Sequence, residues 1–233
     1  VTLPEGITLG QALSLLHSAD GLEKTLSGSD DSQILALSRP QEHPEGLFFP
    51  DTYQFTRGDS DLDILRRARQ AMQKVLSQEW SARDAELPYQ DEYEALIMAS
   101  IIERETGTPH ERGEIAGVFV RRLNKGMLLQ TDPTVIYVLG PEFDGNLRRS
   151  HLRDSANVYN SYRHAGLPPT PIALPGRDAI HAALHPEEGN ALYFVAKGDG
   201  GHVFSATLAD HQKAVRKYQL KRRADYRSSP GSR

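Results

Sequence analysis

Helical spacing dominates the hydrophobic pattern of this chain. Leu9, Leu13 and Leu16 share one face, and Thr8 with Gln11 three residues on makes a capping box, so a helix is expected up to the stop at Gly21. "SGSDDSQ" (27–33) reads as a polar loop. Residues 39–60 carry three prolines, two glycines and four aromatics and predict an ordered, irregular connection. Leu62, Leu65, Ala68, Met72, Val75 and Leu76 then line one side of a long amphipathic helix over 59–80, with arginines and a lysine opposite.

"SARDAELPYQD" breaks the pattern, and the chain is divided near Pro88 into segments 1–88 and 89–226. A helix is expected over 92–106 and another over 111–124, the latter turning Ile115, Val118, Phe119 and Leu123 inward and ending at Gly126. "LLQTDPTVIYVLG" suits a helix with Asp132 as N-cap and Pro133 at the first position, although Thr, Val and Ile also suit a strand. Residues 141–177 are loop-rich, and "GRDAIHAALHP" is a short helix. "ALYFVAKGDGGHVFSAT" is a β-hairpin with its turn at Gly198-Asp199-Gly200-Gly201, and a helix over 209–226 closes the chain. The fold class is therefore α+β, helix-rich, with one short sheet.

Composition changes this picture little. The 233 residues are 38% apolar and 25% charged, with a net charge of −4, so no basic face points to nucleic acid. The basic cluster Lys213, Arg216, Lys217, Lys221, Arg222 and Arg223 reads as a solvated final helix. Cysteine is absent, which removes disulfides, thiolate metal sites and cysteine nucleophiles from consideration. No apolar run approaches the roughly 20 residues of a membrane span. The opening "VTLPEG" has no initiator methionine and reads as a piece of a longer protein, so a missing anchor carries little weight.

The candidate chemistry lies in "IMASIIERETGTPHERGEIAGVF" (97–119). A helix apolar all round is a buried helix. This one finishes on Glu103 and Glu105, at the end where the macrodipole disfavours a negative charge. Partial burial raises a carboxyl pKa further, as a general acid requires. Residues two apart on a helix point about 200° apart, so the pair cannot flank one bond. Periodicity does not choose between them. Glu105 continues the row of Met98, Ile101 and Ile102, and Glu103 that of Leu96, Ala99 and Ser100. The plain alternative is that both are surface residues paired with Arg104 and Arg112. His181 and His185 have metal-ligand spacing, but no motif supplies a third ligand, so no metal site and no cofactor are expected.

The motifs "PEG", "EGLFFPDTYQF", "MASIIERET", "IAGVFVRRLNKGMLLQTDPTVIY", "GLPPTPIALPG", "AALHP" and "LYFVAKGDGGHVFSATLADHQKAV" follow one another along nearly the whole chain. In this order they resemble the MltG (YceG-like) family of endolytic murein transglycosylases. The resemblance implies a lysozyme-like catalytic domain preceded by a LysM-associated subdomain that is truncated here. It implies a bacterial cell-envelope protein, anchored by an N-terminal helix outside this chain, whose soluble part faces the wall beyond the cytoplasmic membrane. Its partners would be peptidoglycan glycan strands and the cell-wall synthases. The implied reaction cleaves the MurNAc-β-1,4-GlcNAc bond and leaves 1,6-anhydro ends. "R-E-T" resembles the Glu-Ser ending of the catalytic helix in lytic transglycosylases and goose-type lysozymes, which implies Glu105 as the catalytic residue, with Glu103 in reserve.

The same resemblance makes Gln130, Thr131, Asp132 and Asn160 candidates for hydrogen bonds to sugars, and Tyr137, Tyr159 and Tyr162 candidates for stacking or hydroxyl donation. Plainer roles stand beside these: Asp132 as helix cap, Tyr137 as core, Asn160 as turn residue. Two rivals remain. One is a glycan-binding scaffold without catalysis. The other follows an older family label, likeness to the pyridoxal-phosphate enzyme aminodeoxychorismate lyase. It would need a Schiff-base lysine, for which only Lys125 and Lys197 lie near the motifs, neither in an apolar pocket.

Overall fold

The computed structural model describes residues 1–220. Helix α1 (Leu9–Ser18) starts with the expected reciprocal cap, in which Gln11 N–H donates to Thr8 Oγ1 at 3.3 Å and Thr8 N–H to Gln11 Oε1 at 2.9 Å. Helix α2 (Ser32–Ser38) begins inside the stretch read as a polar loop. Its seven residues are too few for a period to show, and only Ile34 and Ser38 are buried, so its start depends on the Asp31 cap donated to by Gln33 N–H at 2.9 Å.

Helix α3 (Asp61–Ser81) buries every apolar residue expected of it, from Leu62 to Leu76, and Ser60 and Asp63 form its capping box. Residues 39–60 between these helices are ordered without regular structure, and Leu47 and Phe48 enter the core. Gly46 lets this connection dock. Its φ is +78°, and a Cβ there would meet Pro171 Cβ at 2.3 Å. Gly46→Ala should destabilise the protein by about 2–4 kcal/mol, from left-handed strain plus overpacking. Urea unfolding would report this as a lower midpoint at unchanged slope.

Helix α4 (Glu92–Glu105) starts at the Asp91 cap, and every residue from Ala95 to Ile102 is buried. It packs chiefly on α8 (Arg177–Leu184), and also on α5 (Arg112–Asn124), α6 (Asp132–Leu139) and α3. One 3-10 turn, Pro109–Glu111, joins α4 to α5. The N-cap of α6 is Thr131, not Asp132, which sits one place inside. Thr131 has extended φ and ψ of −117° and 128°, and its hydroxyl makes no capping bond because it is used elsewhere.

The loop-rich stretch contains the short α7 (Arg149–Arg153) and, at its start, the end of a 3-10 turn, Gly140–Glu142. Strands β1 (Tyr193–Ala196) and β2 (His202–Ser205) form the expected antiparallel hairpin, with Phe194 opposite Phe204. Helix α9 (Leu208–Val215) is capped by Thr207 and continues as a π-helical turn, Arg216–Leu220. The rest of the predicted last helix, with Lys221, Arg222 and Arg223, lies outside the described residues.

The protein is thus α+β, helix-rich with a two-stranded antiparallel sheet. One cluster of buried apolar side chains takes in Leu3, Met72, Met98, Phe119 and Ile180, from both sides of residue 88. Backbone bonds from Gly6 N–H to Leu174 O at 2.9 Å and from Leu174 N–H to Ile7 O at 2.8 Å tie the first turn to the loop before α8. Among the described residues, no helix is long and apolar enough to cross a membrane.

Candidate active site

The two glutamates at the end of α4 meet different surroundings. Glu103 is held on both oxygens. Gly176 N–H donates to Oε2 at 2.9 Å, and Arg112 Nη2 stands 3.5 Å from Oε1. Arg112 also reaches Asp178 at 3.5 Å. Burial raises the Glu103 pKa above the ordinary carboxylate range, opposed by Gly176 N–H and Arg112. Of the two glutamates, it is Glu103 that Arg112 pairs with; Arg104 instead donates to Gly6 O at 2.9 Å.

Glu105, the last residue of α4, makes no ion pair with a cation among the described residues. Burial pushes its pKa up to about 7, the negative charge of Asp132 adds to this, and one hydrogen bond opposes it. That bond comes from Thr131 Oγ1, which donates to Glu105 Oε2 at 2.5 Å. Thr131 is itself buried and fixed: its N–H donates to Ser161 Oγ at 3.0 Å, and its carbonyl accepts from Thr134 Oγ1 at 2.8 Å. A hydroxyl network below the cap of α6 thus orients the one donor on Glu105. Thr131→Val removes that donor at nearly constant shape, so the Glu105 titration should move above pH 7. Carbon-13 NMR of the carboxyl group would measure this, and an unmoved titration would deny the bond its role.

The other sequence candidates separate into an exposed group and a used group. Gln130 is exposed, with a left-handed φ of +53° that is uncommon outside glycine. Asp132 is exposed beside it and accepts from Tyr162 Oη at 2.6 Å. Tyr137 and Tyr159 are half-buried and packed together, ring centroids 5.1 Å apart. Tyr159 Oη lies 2.9 Å from Thr170 Oγ1. Asn160 does not belong with them as a sugar contact. It is fully buried, its Nδ2 donates to the carbonyls of His151, Leu152 and Asp154, and its Oδ1 accepts from Tyr162 N–H. It is the turn residue of the plainer reading, and it holds the loop that carries Tyr159 and Tyr162.

Glu45 was not singled out from sequence. It is only 4% exposed, accepts from Leu9 N–H at 2.9 Å and from Tyr137 Oη at 3.3 Å, and burial pushes its pKa up to about 7. Its signal in the sequence is a carboxylate separated only by Gly46 from the apolar run Leu47-Phe48-Phe49. Lys125 is exposed at the C-cap of α5, and Lys197 stands 3.9 Å from Asp199 beside the hairpin turn, so neither has the apolar surroundings a Schiff-base lysine needs. Two cavities of about 450 and 730 Å³ lie elsewhere, one against Tyr93 and Leu167, the other against Gly117 and Glu187. Glu105 lines neither.

The chain resembles known proteins over most of its length. It is 42% identical over 180 residues to an endolytic murein transglycosylase of Bacillus subtilis (strain 168), a match covering 76% of this chain and 49% of that protein. It is 29% identical to an endolytic murein transglycosylase of Streptococcus pneumoniae serotype 2 (strain D39 / NCTC 7466), covering 92% of this chain and 44% of that protein. The chain therefore spans about half the length of these relatives. A crystal structure of a putative yceG-like protein from Listeria monocytogenes matches with a TM-score of 0.76 and 32% identity, covering 91% of this chain and 74% of that one. The model of the YceG-like family matches residues 1–217, and the chain belongs to that family.

Proposed function

We propose that this chain is the catalytic portion of an endolytic murein transglycosylase, with Glu105 as its single acid and base. The observation that carries the reading is a carboxyl pushed up to about 7 at the end of a buried helix, held by one hydroxyl, while its neighbour Glu103 is taken up by Arg112 and Gly176. The names of the Bacillus and Streptococcus relatives supply the substrate class.

Protonated Glu105 gives its proton to the glycosidic oxygen as the MurNAc C1–O bond breaks, releasing the GlcNAc 4-hydroxyl. The MurNAc C6 hydroxyl then attacks C1 and returns its proton to Glu105. The 1,6-anhydro ring forms, no water is consumed, and Glu105 ends protonated. One carboxyl therefore suffices, where ordinary retaining hydrolases need two about 5–5.5 Å apart. A pKa near 7 suits a group that must act in both directions. Gln130, Asp132 and Tyr162, exposed or half-buried beside Glu105's donor Thr131, are the proposed contacts to sugar hydroxyls and acetamido groups, and Tyr137 and Tyr159 the proposed stacking surface.

Residues 89–226 form the catalytic domain in this reading, lysozyme-like around α4. Residues 1–88 form a subdomain that follows or ends a LysM-like module. The whole protein would act in the cell envelope, on the outer face of the cytoplasmic membrane, anchored by a helix outside this chain and close to the wall synthases.

Mass spectrometry of uncrosslinked glycan strands after incubation with the protein tests the reading. New ends lighter than reducing ends by one water support it. Ordinary reducing ends would mean a hydrolase and direct attention to Asp132 as second carboxylate. Intact strands that nonetheless bind would favour the scaffold.

A further inference from the structure

We propose that Glu79, His181 and His185 bind a divalent transition-metal ion of the zinc type at the surface where α3 meets α8. The spacing of the two histidines has metal-ligand form, and the fold brings a third ligand to them from 102 residues away, on the last turn of α3. One ligand atom from each of the three residues lies within 4.8 Å of the others. Among the described residues they are the one such group of three.

The surroundings assign the donor atoms. His185 Nδ1 stands 2.9 Å from Asp84 Oδ1, which leaves Nε2 for the ion and sets the tautomer. Arg177 Nη1 donates to Glu79 Oε1 at 2.7 Å, which leaves Oε2. His181 Nδ1 faces that oxygen at 2.9 Å, and the ion would take the place of the proton between them. Two of the three ligands thus carry an outer partner, as metal ligands commonly do. The imidazole rings lie with centroids 4.3 Å apart. A tetrahedral ion at about 2.1 Å from its ligands keeps them about 3.4 Å apart, so the His181–Glu79 pair at 2.9 Å must open by roughly 0.5 Å, while atoms at the 4.8 Å limit must close by roughly 1.4 Å. The His181 side chain is 59% exposed, so its ring has room to turn once an ion replaces its contact with Glu79. Two imidazoles and one carboxylate are a ligand set for zinc, with a fourth position open to water. Arg177 places a positive charge beside the ion, which argues for an exchangeable ion rather than a permanent one.

The ion would cross-link the last turn of α3 to α8, on which the catalytic helix α4 packs. Its role is to hold these elements together, and it does not depend on what Glu105 does. Zinc titration calorimetry and thermal melts of the protein, Glu79→Gln, His181→Ala, His185→Ala and the exposed-histidine control His110→Ala make the test. One equivalent should bind to the protein and to His110→Ala. At a free concentration about 100 times Kd the melting temperature should rise by roughly 5–10 °C. Each of the three ligand variants should lose saturable binding and the rise, while circular dichroism shows them folded. Absence of saturable binding to the unmodified protein, or a rise that persists in both histidine variants, overturns the proposal.

Discussion

Glu105→Gln should lower the rate of glycan cleavage by about 10³-fold or more, since in the proposed reaction one residue supplies both the acid and the base. The amide oxygen that replaces the carboxylate can still accept from Thr131, so the fold and strand binding should be retained. The pH dependence carries the same assignment. The proton must be on Glu105 when the bond breaks, and its pKa is about 7, so activity should fall on the alkaline side of roughly that value. In the folded protein this pKa lies above the ordinary value of 4.5, so folding takes up a proton between the two; the burial of Glu105 therefore costs stability as pH rises through that window and is fully felt above about 7. Measured kcat against pH for the protein, and a single rate for Glu105→Gln, check both statements. Cleavage unchanged in Glu105→Gln would remove Glu105 from the chemistry.

Arg112→Met should do the opposite: much stability lost, little chemistry. Its guanidinium is the cation beside Glu103, and both side chains are no more than 10% exposed. Removing one partner leaves the other buried and uncompensated, which typically costs about 3–5 kcal/mol. The 3.5 Å separations to Glu103 and Asp178 are longer than charge-assisted hydrogen bonds, so a value of about 2–3 kcal/mol is expected. Urea unfolding measures it, and turnover by the protein that remains folded should be unchanged. An Arg112→Met protein of normal stability that fails to cleave would instead place Glu103 and Arg112 in the reaction.

These two variants separate glutamates that periodicity could not. Each continues an apolar row of α4, and each ends the same helix against the dipole. What distinguishes them is a backbone N–H 73 residues away for Glu103 and a threonine hydroxyl 26 residues away for Glu105. Local pattern contains neither. The same limit explains Thr131. Its neighbour Asp132 has the better capping side chain, and only the position of Glu105 shows why the threonine hydroxyl is turned away from the helix. Asn160 reads in the sequence as a polar group available to a ligand, but three carbonyls of residues 151–154 occupy its amide.

By itself, the sequence determined the longer helices, the capping box of α1 and the hairpin, because apolar periodicity, capping boxes and turn residues act within a few positions; α2, too short to show a period, and the cap of α6 were decided by the tertiary structure. The sequence also placed the candidate chemistry at the end of α4. Partner choice was left to the tertiary structure: Arg112 for Glu103, Thr131 for Glu105, Tyr137 for Glu45, and Glu79 for the two histidines. A carboxylate's role depends on the charge, donors and water around it, and in a packed core those come from segments distant in the chain.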